Sequence, residues 1–420
     1  MNKAVALAAA GVRQAWLWRN RSTVQDSNPE EKRRRLFVDV STIIRHDART
    51  GIQRVVRAVW SELSRRSGDD FLVQPVFATR TRGYCCAPAD FLNGVGSDWI
   101  AKPMNVNAGD KFLGLDLAAH LLPGYRRQLL EWKSRGASIH LLVYDLIPLM
   151  YPQWFNSAAA SNFRRWLKIL AANADQAICI SDNVAHCLEQ WLTDSCDGHP
   201  EIVRMHMGGD ISASIPSTGV SPEVSTLLGL ARFRPAILMV GTIEPRKAYD
   251  VALDAFELLW RTRPDGPDLI IVGKPGWKTS SIQARLDRHP YRGSRLHWLS
   301  QTSDEALCDL YKACAGVFVT SRAEGFGLPL IEAAQFRRHV LARDLPVFRE
   351  HRLVNTIFFE DDSPASLADR LMELAKIGKA GPADSAILPT WGDCVDGLLN
   401  HLGLGADASS ASVSPLRKAS

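Results

Sequence analysis

The chain has 420 residues, 46% of them apolar and 23% charged, the composition of a soluble globular protein long enough for two ordinary domains. No apolar run approaches the ~20 residues of a membrane-spanning helix, which argues against an integral membrane protein. The net charge of +5 sits within residues 1–35, and a charge so local, with no nucleic-acid-binding motif beside it, argues against a nucleic-acid partner.

The basic leader, 1–35, carries Trp16, Trp18 and the run Lys32-Arg33-Arg34-Arg35. It is expected to be flexible, with peripheral contact to the inner membrane face as the alternative. Its short apolar stretch, 4–12, is followed at once by Arg13, Arg19 and Arg21, a poor match to a secretory signal. From residue 36 short apolar runs alternate with amphipathic segments. The pattern predicts strands over 36–40, 71–77, 139–146, 176–181 and 202–207, and helices over 52–66, 161–172 and 182–192. Residues 212–219 are rich in Ser, Pro and Gly and read as a linker. A second series follows, with strands over 236–241, 268–273, 295–300, 316–321, 340–342 and 356–359 and helices over 249–261 and 302–315. Repeated strand–helix alternation predicts an α/β protein with parallel sheets covered on both faces. The two series predict two Rossmann-like domains, 36–215 and 220–402, with a disordered polar tail over 403–420. The eight cysteines are scattered, with no Cys-x2-Cys pair and no zinc spacing, as suits a reducing cytoplasm.

The chemistry concentrates in three loops of the second series. Thr320-Ser321-Arg322-Ala323-Glu324-Gly325-Phe326-Gly327-Leu328-Pro329-Leu330-Ile331-Glu332 joins a strand to a helix through a glycine-bearing loop. Free N–H groups at such a helix start can hold an anion, and Pro329 suits the first helical turn. Glu324 and Glu332 flank this anion site and can accept hydrogen bonds from sugar or ribose hydroxyls. The other two loops are Val240-Gly241-Thr242-Ile243-Glu244-Pro245-Arg246-Lys247 and Ile270-Ile271-Val272-Gly273-Lys274. Ligands of open α/β sheets lie beyond the carboxyl ends of strands, so all three loops are expected on one edge of the second domain. Arg246 and Lys247 there would neutralise a departing diphosphate.

These segments resemble the retaining glycosyltransferases of family four, which have the GT-B fold. The 324–332 pair resembles that family's Glu-x7-Glu motif, and 241–247 resembles the Gly-Thr-x-Glu-Pro-Arg-Lys form of its phosphate loop. The resemblance implies an interdomain cleft, with the acceptor mainly on the first domain and a nucleoside diphosphate sugar on the second. It implies Arg246, Lys247, Glu324 and Asp145 in the catalytic role. Gly241, Thr242, Gly273, Lys274, Phe326, Gly327, Leu328, Glu332 and Gly51 would contact the donor, with Glu332 on the ribose. Thr242 stands where many relatives carry arginine. Tyr144 stands where the family's His-Asp-Leu-x-Pro segment has histidine, which leaves Asp145 as the hydroxyl contact. Thr50-Gly51-Ile52-Gln53-Arg54 is similar to the family's first glycine-rich loop. No Asp-x-Asp appears, so no obligatory metal or cofactor is expected. The implied reaction moves a hexose, mannose from GDP-mannose favoured, to a saccharide or lipid-linked saccharide in bacterial surface polysaccharide assembly. The expected location is the cytoplasm, at or near the inner membrane. The alternatives are a glucosyl- or N-acetylglucosaminyltransferase with a UDP donor, a nucleotide-sugar epimerase, and a non-catalytic scaffold.

Overall fold

The structure, a computed structural model, describes residues 33–68, 70–79, 81–94, 100–195, 198–380 and 388–405. Nearly all of the basic leader, and the tail beyond 405, lie outside the described residues.

The first domain contains β1 (Arg34–Asp39), β2 (Phe71–Thr79), β3 (Gly83–Cys86), β4 (Lys102–Pro103), β5 (Lys111–Gly114), β6 (Ser138–Val143), β7 (Gln176–Cys179) and β8 (Glu201–Arg204). Their order across the sheet is β4-β3-β2-β1-β5-β6-β7-β8. The strands from β2 to β8 in that order run parallel, while β3 and β4 add an antiparallel edge that the parallel expectation did not include. Leu36, Val38, Ile139, Leu141 and Val143 are almost wholly buried, as a sheet covered on both faces demands. The sequence pattern missed β5, which is short and reads Lys-Phe-Leu-Gly, too brief and too mixed for a periodic signal. It nevertheless lies at the centre of the sheet, between β1 and β6.

The second domain contains β9 (Ala236–Val240), β10 (Asp268–Val272), β11 (Leu296–Leu299), β12 (Gly316–Val319), β13 (Val340–Arg343) and β14 (Thr356–Phe359). They form a wholly parallel sheet of order β11-β10-β9-β12-β13-β14. The order reverses between β9 and β12, the place where doubly wound sheets open a crevice for a ligand.

One element departs from the predicted division of the chain. The sequence reading placed residues up to 402 in the second domain. The helix Trp391–His401 instead packs on the first, where Trp391, Cys394, Val395, Leu398 and Leu399 join the same core as β1, β6 and the helix Gly51–Arg66. Its apolar face matches that core, and Thr390 caps its start. The arginines of the helix Gly51–Arg66 are paired within the protein. Arg54 pairs with Glu332 and Asp304, Arg57 with Asp47, Arg65 with Glu62, and Arg66 with Glu62 and Asp396. Among the described residues no helix is long and apolar enough to cross a membrane.

Candidate active site

At the order reversal, the loops after β9 and β12 are laced together. The amide of Arg322 donates to the Arg246 carbonyl at 2.7 Å, and Thr320 Oγ1 donates to the Lys247 carbonyl at 2.6 Å. This lacing fixes two cations against one carboxylate. The Arg246 guanidinium meets Glu244 at 2.7 Å, donates to the Ala323 carbonyl at 3.1 Å and pairs with Glu324. The Lys247 ammonium pairs with the other oxygen of Glu324, which also accepts from Ser321 Oγ at 2.7 Å. Burial alone would raise the Glu324 carboxyl, but the charges of Arg246 and Lys247 outweigh it and hold the group down at about 2. Burial likewise disfavours the Arg246 cation, and the Glu324 and Glu244 carboxylates overcome it, so Arg246 stays charged. The Glu324 carboxylate thus already occupies the position that both cations offer to an anion.

The loop after β10 closes the other side. Gly273 approaches so near that a Cβ there would stand 1.9 Å from the Gly241 carbonyl oxygen, so only glycine fits. The Gly241 carbonyl also accepts from Tyr249 Oη at 2.6 Å, and Thr242 lies against Gly276. Lys274 turns away from this cradle and donates across the cleft to the Ala48 carbonyl at 3.0 Å.

Glu332, 1% exposed, is fully engaged. It accepts from Tyr311 Oη at 2.7 Å and pairs with Arg54, which reaches over from the first domain. Arg54 also meets Asp304 at 3.0 Å, where Arg49 adds a second cation at 3.3 Å. Gly51 lies within 3.6 Å of Leu328 as judged by an added Cβ, so the first helix start touches the start of the helix Leu328–Gln335. The Phe326 carbonyl accepts from His351 Nε2 at 2.7 Å, and Gly327 begins that helix in the left-handed region.

The first domain contributes the end of β6. Asp145 is half-buried and caps the Ile147 amide at 3.0 Å. Burial pushes its carboxyl up to about 6, against the pull of Arg246 and that amide, with Glu324 and Glu244 adding to the rise. Asp145 is therefore electrostatically part of the cation–carboxylate cluster of the other domain. Tyr144, where a histidine was expected, is buried, and its hydroxyl donates to the Leu115 carbonyl at 2.6 Å inside the first domain. A Cβ on Gly325 would stand 1.9 Å from the Tyr144 carbonyl oxygen, so the domains touch there backbone to backbone. Ser181 Oγ donates to the Gly325 carbonyl at 2.8 Å and also accepts from the Val184 amide at 3.1 Å, bridging the domains while capping the start of the helix Asp182–Ser195. Glu350 caps the same helix, Asp182–Ser195, from the second domain through the Asp182 amide at 2.9 Å.

The structure thus gathers Arg246, Lys247, Glu324 and Asp145 around one point. It sets Gly241, Gly273, Glu332, Phe326, Gly327, Leu328 and Gly51 along the surrounding loops, with Thr242 and Lys274 towards the rim. Sequence reading passed over Arg54, Tyr311, Glu244 and Ser321 as site residues. Glu244 and Arg54 lay inside quoted motifs, whereas nothing near Tyr311 signals its contact with Glu332. Among the described residues no group of three or more His, Cys, Asp or Glu is placed to hold a metal ion.

Two Rossmann-like domains facing a cleft of this kind are the GT-B fold. Solved structures share it, with sequence identities that speak to the fold alone. Anabaena Alr3699/HepE in complex with UDP and glucose aligns with a TM-score of 0.56 at 15% identity, over 88% of this chain and 99% of that one. The α,α-trehalose-phosphate synthase (UDP-forming) of Burkholderia vietnamiensis gives 0.53 at 13% identity, over 74% and 73%. Residues 229–380, most of the second domain, match the family Glycosyl transferases group 1. Over 388 residues, 90% of the chain, the sequence is 36% identical to the serotype-specific mannosyltransferase WbdA of Escherichia coli, covering 46% of that protein. A shorter stretch of 97 residues is 38% identical to the O-antigen chain mannosyltransferase B of Escherichia coli, covering 23% of this chain and 25% of that one. The chain spans about half the length of the WbdA relatives it matches.

Proposed function

We propose that the chain is a retaining glycosyltransferase that moves mannose from GDP-mannose to a hydroxyl of a saccharide or lipid-linked saccharide in bacterial surface polysaccharide assembly. The observation that carries this reading is the pair Arg246 and Lys247 closed onto Glu324 at the strand-order reversal. An incoming diphosphate presents more negative charge than one carboxylate, and it takes over the two cations. Glu324, released from them, is then an acceptor for the hydroxyls of the donor sugar. As the glycosidic bond breaks, negative charge grows on the leaving diphosphate. Cations fixed beforehand stabilise that charge without reorganisation. Glu332 serves the ribose hydroxyls once they compete successfully with Arg54. Asp145 stands beside Arg246 as the contact of the first domain with a sugar hydroxyl. The likeness to mannosyltransferases over 90% of the chain supports mannose as the sugar. Work at the cytoplasmic face of the inner membrane is part of the same proposal.

A thermal-shift screen tests it, with GDP-mannose, UDP-glucose, UDP-N-acetylglucosamine, ADP-glucose and the free diphosphates. A ligand at about 100 times its Kd stabilises by about 2.7 kcal/mol. A shift with GDP and GDP-mannose alone is expected. A shift confined to uridine nucleotides would replace the donor, and no shift with any nucleotide would favour a non-catalytic scaffold.

A further inference from the structure

A cavity of about 390 Å³ has walls from both domains. Pro152, Phe155, Ser157, Ser161 and Arg164 line it from the first domain and Lys278 from the second. Its place follows from chain connectivity on both sides. The 151–157 segment lies just beyond Asp145 and the short helix Ile147–Met150. Lys278 follows a turn that packs on the phosphate-loop candidate, where a Cβ on Gly276 would stand 2.3 Å from the Ile243 carbonyl oxygen and Thr279 Oγ1 donates to that same oxygen at 3.3 Å.

The two walls are fastened to each other. Trp277 Nε1 donates to the Trp154 carbonyl and Lys278 Nζ to the Gln153 carbonyl, each at 2.8 Å. The rings of Phe155 and Trp277 lie 5.6 Å apart. Lys278 holds φ at 53°, a left-handed conformation that a residue with a Cβ adopts only when its surroundings impose it. The Trp277 side chain is still 40% exposed, although its indole N–H is bonded.

We propose that this cavity is an acceptor subsite that takes a hexopyranose ring of the saccharide receiving the transferred sugar. The proposal rests on the glycosyltransferase reading above and adds where the acceptor is held. A pyranose ring has one face of C–H groups and a rim of hydroxyls. Phe155 and Pro152 supply an apolar wall for the first. The Ser157 and Ser161 hydroxyls and the Arg164 and Lys278 cations supply hydrogen-bond partners for the second. No carboxylate is among the lining residues to compete for those donors. The volume is within the ~300–1,000 Å³ of small-molecule sites. The lining is mostly solvent-exposed, which suits a saccharide that must run out of the cleft, whereas most of the proposed donor contacts are only partly exposed. Because one wall belongs to each domain, the subsite is complete only when the domains are together, and acceptor binding then favours the same closed arrangement as the donor.

The test measures binding of α-linked mannotriose to the full chain by saturation-transfer NMR and calorimetry, with GDP titrated in parallel. Ser161→Trp fills the cavity from an exposed helical position, and Phe155→Ala removes its apolar wall. At least tenfold weaker trisaccharide binding is expected in both variants, with the GDP affinity and the melting temperature of Ser161→Trp unchanged. The proposal is overturned if wild type does not bind the trisaccharide, if both variants bind it as well as wild type, or if inorganic phosphate displaces it fully, which would make the cavity an anion site. Loss of GDP binding by wild type with trisaccharide binding intact would count against the donor reading and not against the subsite.

Discussion

In the second domain the candidate site is made by loops on neighbouring parallel strands, and its charged groups pair between those loops, Arg246 and Lys247 with Glu324. In the first domain the contribution is the strand end at Asp145, the Arg54 side chain that reaches Glu332, and helix starts that meet the other domain. The difference follows from what each would recognise. A diphosphate and a ribose always present the same charges and hydroxyls, so their partners recur at fixed spacing, as in Arg246-Lys247 and Glu324-x7-Glu332. A shape-matched wall can be built from many residue types, so it leaves little trace in one sequence.

The comparison can be broken or sharpened by substitution. Trp391 is buried in the core of the first domain and its Nε1 donates to the Asp210 carbonyl at 2.9 Å. Trp391→Ala should cost about 3–5 kcal/mol of stability in a denaturant titration, although it lies 145 residues beyond Arg246 in the chain. A loss under about 1 kcal/mol would return the last helix to the second domain. Arg246→Ala removes a cation that developing charge would need, and kcat should fall by about 10²–10³. An unchanged kcat with a raised KM would demote Arg246 to ground-state binding.

Asp145 gives a pH test of how far the domains share their electrostatics. Its carboxyl is raised from 3.8 to about 6 in the folded protein, chiefly by burial. The folded state therefore favours the protonated form, and the stabilisation that comes with the proton is complete below 3.8 and lost as pH rises through about 6. Asp145→Asn should raise the melting temperature at pH 7.5, and the gain should vanish near pH 4, while transfer activity falls. A gain independent of pH would sever Asp145 from the cluster of the second domain. The smallest effect belongs to Tyr144→Phe. Losing the bond to the Leu115 carbonyl should cost about 1 kcal/mol and leave kcat unchanged, since the hydroxyl points into the first domain. A fall in kcat would give Tyr144 a part in the chemistry.

Legibility in the sequence follows the same division. The six strands of the second sheet are apolar enough to announce themselves, and so do the glycine turns that follow β9 and β10. The antiparallel edge β3–β4 and the central β5 read Gly-Tyr-Cys-Cys, Lys-Pro and Lys-Phe-Leu-Gly, too mixed to stand out, and their place is set by the strands beside them. The helix Trp391–His401 reads as a helix only in hindsight, and no sequence pattern states on which domain its apolar stripe lies. At the site, Glu324 and Arg246 were visible as motif members, but their pairing was not, since it joins loops 78 residues apart. Arg54 was quoted within a motif and not chosen, because its partners Glu332 and Asp304 are in the other domain.

The return of the last helix to the first domain has a mechanical consequence. The chain crosses between the domains twice, over 212–219 and again before Trp391. Two crossings define an axis, as two pins define the swing of a door. Asp210, Ile215, Thr390 and Trp391 border one cavity, so the described ends of the two crossings lie side by side. Twisting of one domain over the other is therefore resisted, and the soft motion that remains is a swing about that line. The Gln153–Trp154 and Trp277–Lys278 clasp then acts as the catch on the free edge.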